Sequence, residues 1–226
     1  MGLAYDIISI GTLSRNRFWD ESAPMRHAHA TTTLIRDGNH TILVDPSLPA
    51  ELLSQRLNER TGLTPDAISA VFLTTCRPVH RRSLTLFDEA DWLMSATEIE
   101  TMRTQLNAHV ERADQAGEPV DALVDQELAL LGRFTPAPEK LTPRVHLFPT
   151  PGPTLGSATL LLVPATHTIA VVGDVVVSRD YYHAGRVFEQ VADVDQARES
   201  FREIIEIADQ IIPGHDNLLV PAGGRA

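Results

Sequence analysis

Short apolar runs open the chain: Tyr5 to Ile10, Thr31 to Ile35 and Thr41 to Val44, the last two separated by Asp37-Gly38-Asn39. Runs of this length around an Asp-Gly-Asn turn predict strands and a hairpin, so the chain begins as a β-meander. After Asp45-Pro46, Ser47 is placed to cap a helix in which Leu52, Leu53 and Leu57 recur at helical spacing before Gly62. Ala70 to Thr74 (AVFLT) is continuously apolar, as in a strand buried on both faces, and delivers the chain to a polar loop, Thr75 to Ser83. From Glu98 to Leu131 charged and apolar residues alternate at helical spacing until Pro136 and Pro138. This predicts one or two surface helices whose acidic residues, Glu98 to Glu127, form a solvated face. A second strand block follows in Val145 to Phe148, Ala158 to Val163 and Ile169 to Val172, separated by the turn-rich PTPGPTLGS and PATH segments. Asp193 then caps a helix with Val194, Ala197, Phe201, Ile204 and Ala208 on one face, before a short strand around Ile211 and Ile212.

Composition narrows the class. With 226 residues and 43% apolar content, the chain can bury a full core, and we expect one domain over 1–226 with a helical insertion at about 98–140. A formal charge of −11 would repel a phosphate backbone, which argues against nucleic acid as a partner. No apolar stretch is long enough to cross a bilayer, and the first residues lack a basic segment followed by an apolar run; a soluble, unprocessed protein without a membrane partner is expected. The single cysteine, Cys76, excludes an internal disulfide and a thiolate zinc knot, which fits a reducing cytoplasm. Nothing in the sequence fixes an oligomeric state.

Four segments occur in a telling order: ILVDPS (Ile42 to Ser47), AVFLTTCRPVHRRS (Ala70 to Ser83), FPTPGPTLGSATLLL (Phe148 to Leu162), and AVVGDVVV followed later by IIPGHDN. Together they resemble the metallo-β-lactamase superfamily, which implies a four-layer αββα sandwich of mixed α/β (α+β) class. In active members these segments hold two zinc or iron ions, and a bridging hydroxide attacks an ester, lactone, thioester, amide or phosphodiester. Where the family has His-x-His-x-Asp-His, this chain has Thr75, Arg77, Val79 and His80; where it has Thr-Pro-Gly-His, the histidine is Pro153. Asp174 matches the bridging aspartate and His215 the final histidine. The resemblance therefore implies an empty first metal position, since Thr75 is a poor ligand, Arg77 a permanent cation and Pro153 has no side-chain donor. It leaves His80, Asp174 and His215, a two-His-one-carboxylate set able to hold one divalent ion.

Two readings stay open. In one, the protein is an atypical or inactive hydrolase homologue that binds no metal, and its cleft takes a small molecule, with an anion at Arg77, or supports a partner. In the other, one zinc or iron ion on His80, Asp174 and His215 serves hydrolysis of a small ester, lactone or thioester. Arg77, by motif position, is expected to direct its guanidinium at Asp174 as a stand-in for the missing ion. Cys76, beside the substituted positions, is a candidate nucleophile, though an isolated cysteine next to a buried strand more often acts as a small hydrophobe. His183, in DYYHAG, is a candidate substitute ligand, against surface packing as the plainer reading. His27 and His29 are candidates for the site mouth, and Arg81 and Arg82 for an anion, with solvent exposure the simpler account of each.

Overall fold

The computed structural model describes residues 2–221. Strands β1 (Ala4–Ser9), β2 (Thr32–Asp37) and β3 (His40–Val44) form the expected antiparallel meander. The chain then crosses through helix α1 (Ala50–Thr61) to β4 (Ala70–Phe72), which lies parallel to β3. Strand β5 (Asp91–Met94) and, after helices α2 (Ala96–Ala116) and α3 (Ala122–Leu131), strand β6 (Phe134–Pro136) extend the same sheet in parallel. A second sheet has the order β11-β10-β9-β8-β7, built from β7 (Lys140–Thr142), β8 (Val145–Pro149), β9 (Ala158–Leu162), β10 (Ile169–Gly173) and β11 (Gln210–Pro213). Helices α4 (Arg179–Ala184) and α5 (Val194–Ile207) lie between β10 and β11 in sequence, and β11 returns parallel to β10.

The two-residue period of the strands explains the layering. Leu34, Leu43 and Val71 point outward and pack with Leu53 and Leu57 of α1, Ile99 of α2 and Leu131 of α3. Their neighbours Ile35, Val44 and Phe72 point the other way, against Leu160, Leu162, Val171 and Ile212 of the second sheet. On the far side, Ala170, Val172 and Ile211 meet Phe201 and Ile204 of α5. Helix, sheet, sheet and helix thus stack as the four-layer αββα sandwich that the resemblance implied. Among the described residues, no helix is long and apolar enough to cross a membrane.

Several expectations need correction. Ser47 does not cap α1, whose N-cap is Pro49; its hydroxyl instead accepts from Ala30 N and donates to Val79 O. Strands β5, β6 and β7, of four, three and three residues, escaped notice because their length gives no period to detect. Consequently the span 98–140 is helical only to Leu131 and ends in strand. The acidic face of that span is not uniformly solvated: Glu98 is 2% exposed and Glu127 pairs with Arg81 at 2.6 Å.

Phe72 is fully buried in the inter-sheet core, so Phe72→Ala should lower unfolding free energy by about 3–5 kcal/mol in urea denaturation. A loss below about 1 kcal/mol would show that the two sheets are not packed face to face through this residue.

Candidate functional site

Chain turns at one edge of the sandwich bring the site together. β3 is followed directly by Asp45, a buried residue with φ of 51°; a non-glycine residue in this region is held there by its surroundings. Its carboxylate accepts from Thr74 N at 2.9 Å and from Thr74 Oγ1 at 2.6 Å, which ties the end of β3 to the loop after β4. In that loop a single 3₁₀ turn, Pro78–His80, follows Arg77 and buries His80 completely. β10 ends in Gly173 at φ 54°, where a Cβ would collide with the Thr74 side chain, so only glycine lets the strand turn there and present Asp174. The segment after β11 is pinned beside it by His215 N donating to Val177 O at 2.7 Å and Gly214 N donating to Val176 O at 3.1 Å.

The result is a chain of polar contacts centred on the Asp174 carboxylate. Its Oδ1 lies 3.2 Å from His80 Nε2 and 3.2 Å from His215 Nε2. Its Oδ2 accepts from Arg77 Nη1 at 2.6 Å. Arg77 Nη2 in turn donates to Pro153 O at 2.7 Å and to Gln190 O, so one guanidinium joins three loops. Behind His80, Nδ1 donates to Asp45 Oδ2 at 2.9 Å. His215 Nδ1 is 2.9 Å from His29 O, and because a carbonyl can only accept, that nitrogen carries the hydrogen.

These contacts set the charge states. Burial alone would push His80 toward neutrality, but the carboxylates of Asp174 and Asp45 outweigh it and raise the imidazole pKa to about 10. Burial alone would likewise raise Asp174, yet the His80 charge and hydrogen bonds from both imidazoles hold it well below the usual carboxylate range. The donor set also has the chemistry of a metal site. With each Nδ1 turned to an acceptor, the two Nε2 atoms and an Asp174 oxygen lie within 4.8 Å of one another, close enough to ligate one ion if the imidazoles give up their Nε2 hydrogens. Arg77 already holds the other oxygen of Asp174.

The remaining candidates fall in different places. Thr75 is fully buried and donates to Glu98 Oε1 at 3.2 Å, away from Asp174. Cys76 is 4% exposed, and burial pushes its thiol up to about 11, which suits a small hydrophobe rather than a nucleophile. Val79 contributes its carbonyl to Ser47, and Pro153 its carbonyl to Arg77. His183 is exposed on α4, with its ring beside Tyr182, and does not join the cluster. His27 is exposed, while His29 reaches the site only through its backbone carbonyl. Arg81 pairs with Glu127, and Arg82 donates to Ala28 O. Sequence reasoning missed Asp45 and Glu98. Asp45 was visible as a carboxylate ending an apolar strand, where it needs partners. Glu98 follows Ser95 at capping-box spacing, which hid its use: Ser95 Oγ accepts from Glu98 N, but the Glu98 carboxylate turns inward to Thr75 Oγ1, Cys76 N and Thr154 Oγ1.

Two expectations follow from this geometry. In a double-mutant cycle of Arg77→Ala and Asp174→Asn, thermal or urea denaturation should give a coupling of about 1–3 kcal/mol; strictly additive effects would mean that the guanidinium is turned to solvent. His80, raised from 6.5 to about 10, stabilises the fold fully below pH 6.5 and loses that contribution as pH climbs through 10. Asp174, lowered from 3.8, contributes above pH 3.8 and loses its contribution as pH falls below that value. The urea midpoint should therefore be highest between about pH 4 and 6.5 and decline toward pH 10. A His80→Gln variant should flatten the alkaline decline, and an unchanged slope in that variant would assign it to another group.

Comparison with known proteins agrees with this architecture. A metallo-beta-lactamase-type protein of Thermotoga maritima superposes with a TM-score of 0.70 at 17% identity, covering 98% of this chain and 100% of that one. The dizinc quorum-quenching lactonase AidC, solved with a homoserine product, gives 0.66 at 18% identity, covering 99% and 86%. An AiiA mutant of B. thuringiensis with N-decanoyl-L-homoserine at its active site gives 0.65 at 17%, covering 96% and 94%. No curated protein matches in sequence. The sequence model of the metallo-beta-lactamase superfamily matches residues 27–215, from the loop before β2 to the last histidine of the site, and the chain belongs to that superfamily.

Proposed function

We propose that this chain is an atypical hydrolase homologue in which no dinuclear centre forms, a pseudoenzyme whose cleft binds a small molecule or a partner. The observation that carries this reading is Arg77 Nη1 at 2.6 Å from Asp174 Oδ2. In the family pattern the aspartate at this position would serve both ions, and here a permanent cation holds one of its oxygens. Two unit charges 4 Å apart at an effective dielectric of 20 repel by about 4 kcal/mol, and a dication doubles that. The positions that would offset such repulsion offer no ligand: Thr75 is turned to Glu98, and Pro153 has only a carbonyl already used by Arg77. We further read residues 1–226 as one domain, since one continuous inter-sheet core supports the cleft. A cytoplasmic setting suits its single buried thiol.

A second reading is favoured by one specific observation, the convergence of His80, Asp174 and His215. That set would hold one zinc or iron ion, with Asp45 fixing the His80 ring from behind. When bound, such an ion supplies Lewis acidity toward a small ester, lactone or thioester carbonyl. Lactonases among the structural neighbours make a lactone the first substrate to try. Arg77 would then orient Asp174 and add positive charge beside the substrate, while Asp45 holds the Nδ1 proton of His80.

Metal titration and a lactone assay separate the two. Zinc added to chelator-treated protein should saturate at or below one equivalent, and N-acyl homoserine lactone should not be turned over above background. Two tight equivalents, both abolished by Asp174→Asn, would overturn the absence of a dinuclear centre. Lactone turnover that requires one equivalent and disappears in His215→Ala would establish the second reading in place of the first.

A further inference from the structure

A cavity of about 100 Å³ shares His215 with the polar cleft but opens between the loop after β1 and the start of α4. That volume equals roughly three waters at ~30 Å³ each. Three groups of its lining are open to a ligand. Ser178 is 4% exposed and its Oγ has no hydrogen-bond partner among the described residues, a condition that buried hydroxyls rarely tolerate. Asp180 lines the same space and receives only Asn16 Nδ2, at 2.7 Å on Oδ2. Asp216 receives only the backbone N–H groups of Arg179 and Asn217, at 2.9 and 2.7 Å. Among the described residues neither carboxylate has a cationic side chain as partner. Arg26 also borders the cavity, but its charge is matched by Glu21 and its guanidinium lies over the Trp19 ring at 5.0 Å. The uncompensated charge around the cavity is negative.

We infer that this cavity is a binding site for a small amino alcohol, whose ammonium faces Asp180 and Asp216 and whose hydroxyl pairs with Ser178. A metal ion fits less well, since the only convergent set of metal donors among the described residues is His80, Asp174 and His215. An anion would meet two carboxylates. Leu13 and Trp19 give the methylene carbons an apolar wall. The inference is independent of whether the neighbouring cleft holds an ion.

Isothermal titration of the full chain with ethanolamine at fixed ionic strength, beside the uncharged 1,2-ethanediol, tests it. Ethanolamine should bind saturably at one site and ethanediol should not. Affinity for ethanolamine should fall at least tenfold in Ser178→Ala and in Asp180→Asn. Ser178→Ala removes only an unpaired hydroxyl, so its ligand-free melting temperature should equal or exceed that of the parent, which separates lost binding from misfolding. Absence of saturable binding, equal binding of ethanediol, or full affinity retained in either variant would each overturn the assignment.

Discussion

A buried carboxylate at the end of an apolar strand is the constraint on which this site depends. Asp174 is 5% exposed, and an ionised group so placed must be met by positive charge or several donors. Its two oxygens solve the problem separately. Oδ2 takes a guanidinium from the loop after β4, while Oδ1 takes the two imidazoles, one from the same loop and one from the segment after β11. The loop after β4 and the segment after β11 therefore converge on one residue, and Arg77 draws Pro153 and Gln190 in beside it.

Metal ions in a site of this kind do mechanical work as well as chemistry, since each ion cross-links loops from different strands. Here side chains supply such links. Arg77 ties its own loop to Pro153 and Gln190. Glu98, from the first turn of α2, ties Thr75 and Cys76 to Thr154. Gly156 lies so close to this turn that a Cβ would strike Glu98 N, so helix and loop meet backbone to backbone. Polar staples fix these loops in register without demanding the coordination geometry that an ion imposes.

Much of this was legible in the sequence because the strongest signals are local. The meander, the α5 face and the Asp193 cap follow from periodicity and capping chemistry within a few residues; Asp193 Oδ1 does accept from Asp195 N and Gln196 N. The contact between Arg77 and Asp174 was readable for another reason: motif order fixes which loops meet, and charge then fixes the pair. Ser47 misled because a hydroxyl after Asp-Pro looks like a cap, whereas its partners, Ala30 and Val79, are 17 and 32 residues away. Glu98 was hidden by the acidic helix around it. Binary patterns assign a carboxylate in such a stretch to solvent, and only the third dimension reveals Thr75, Cys76 and Thr154 beneath its first turn.

A metal ion and protons would compete for the same nitrogens in this cleft. Asp174 is met by Arg77 and by the imidazoles of His80 and His215, and Asp45 stands behind His80. An ion entering between His80 and His215 must take the Nε2 lone pair that the His80 proton occupies, because one nitrogen cannot both donate and coordinate. Metal and proton are thus alternatives for the same place rather than additive partners. Arg77 is the element that tips this exchange. Its fixed charge cannot leave with pH, as a histidine's can, and it lowers the attraction that a dication would otherwise find at Asp174. The guanidinium at position 77 thus sets one oxygen of Asp174 against a permanent cation and leaves the other to two imidazoles.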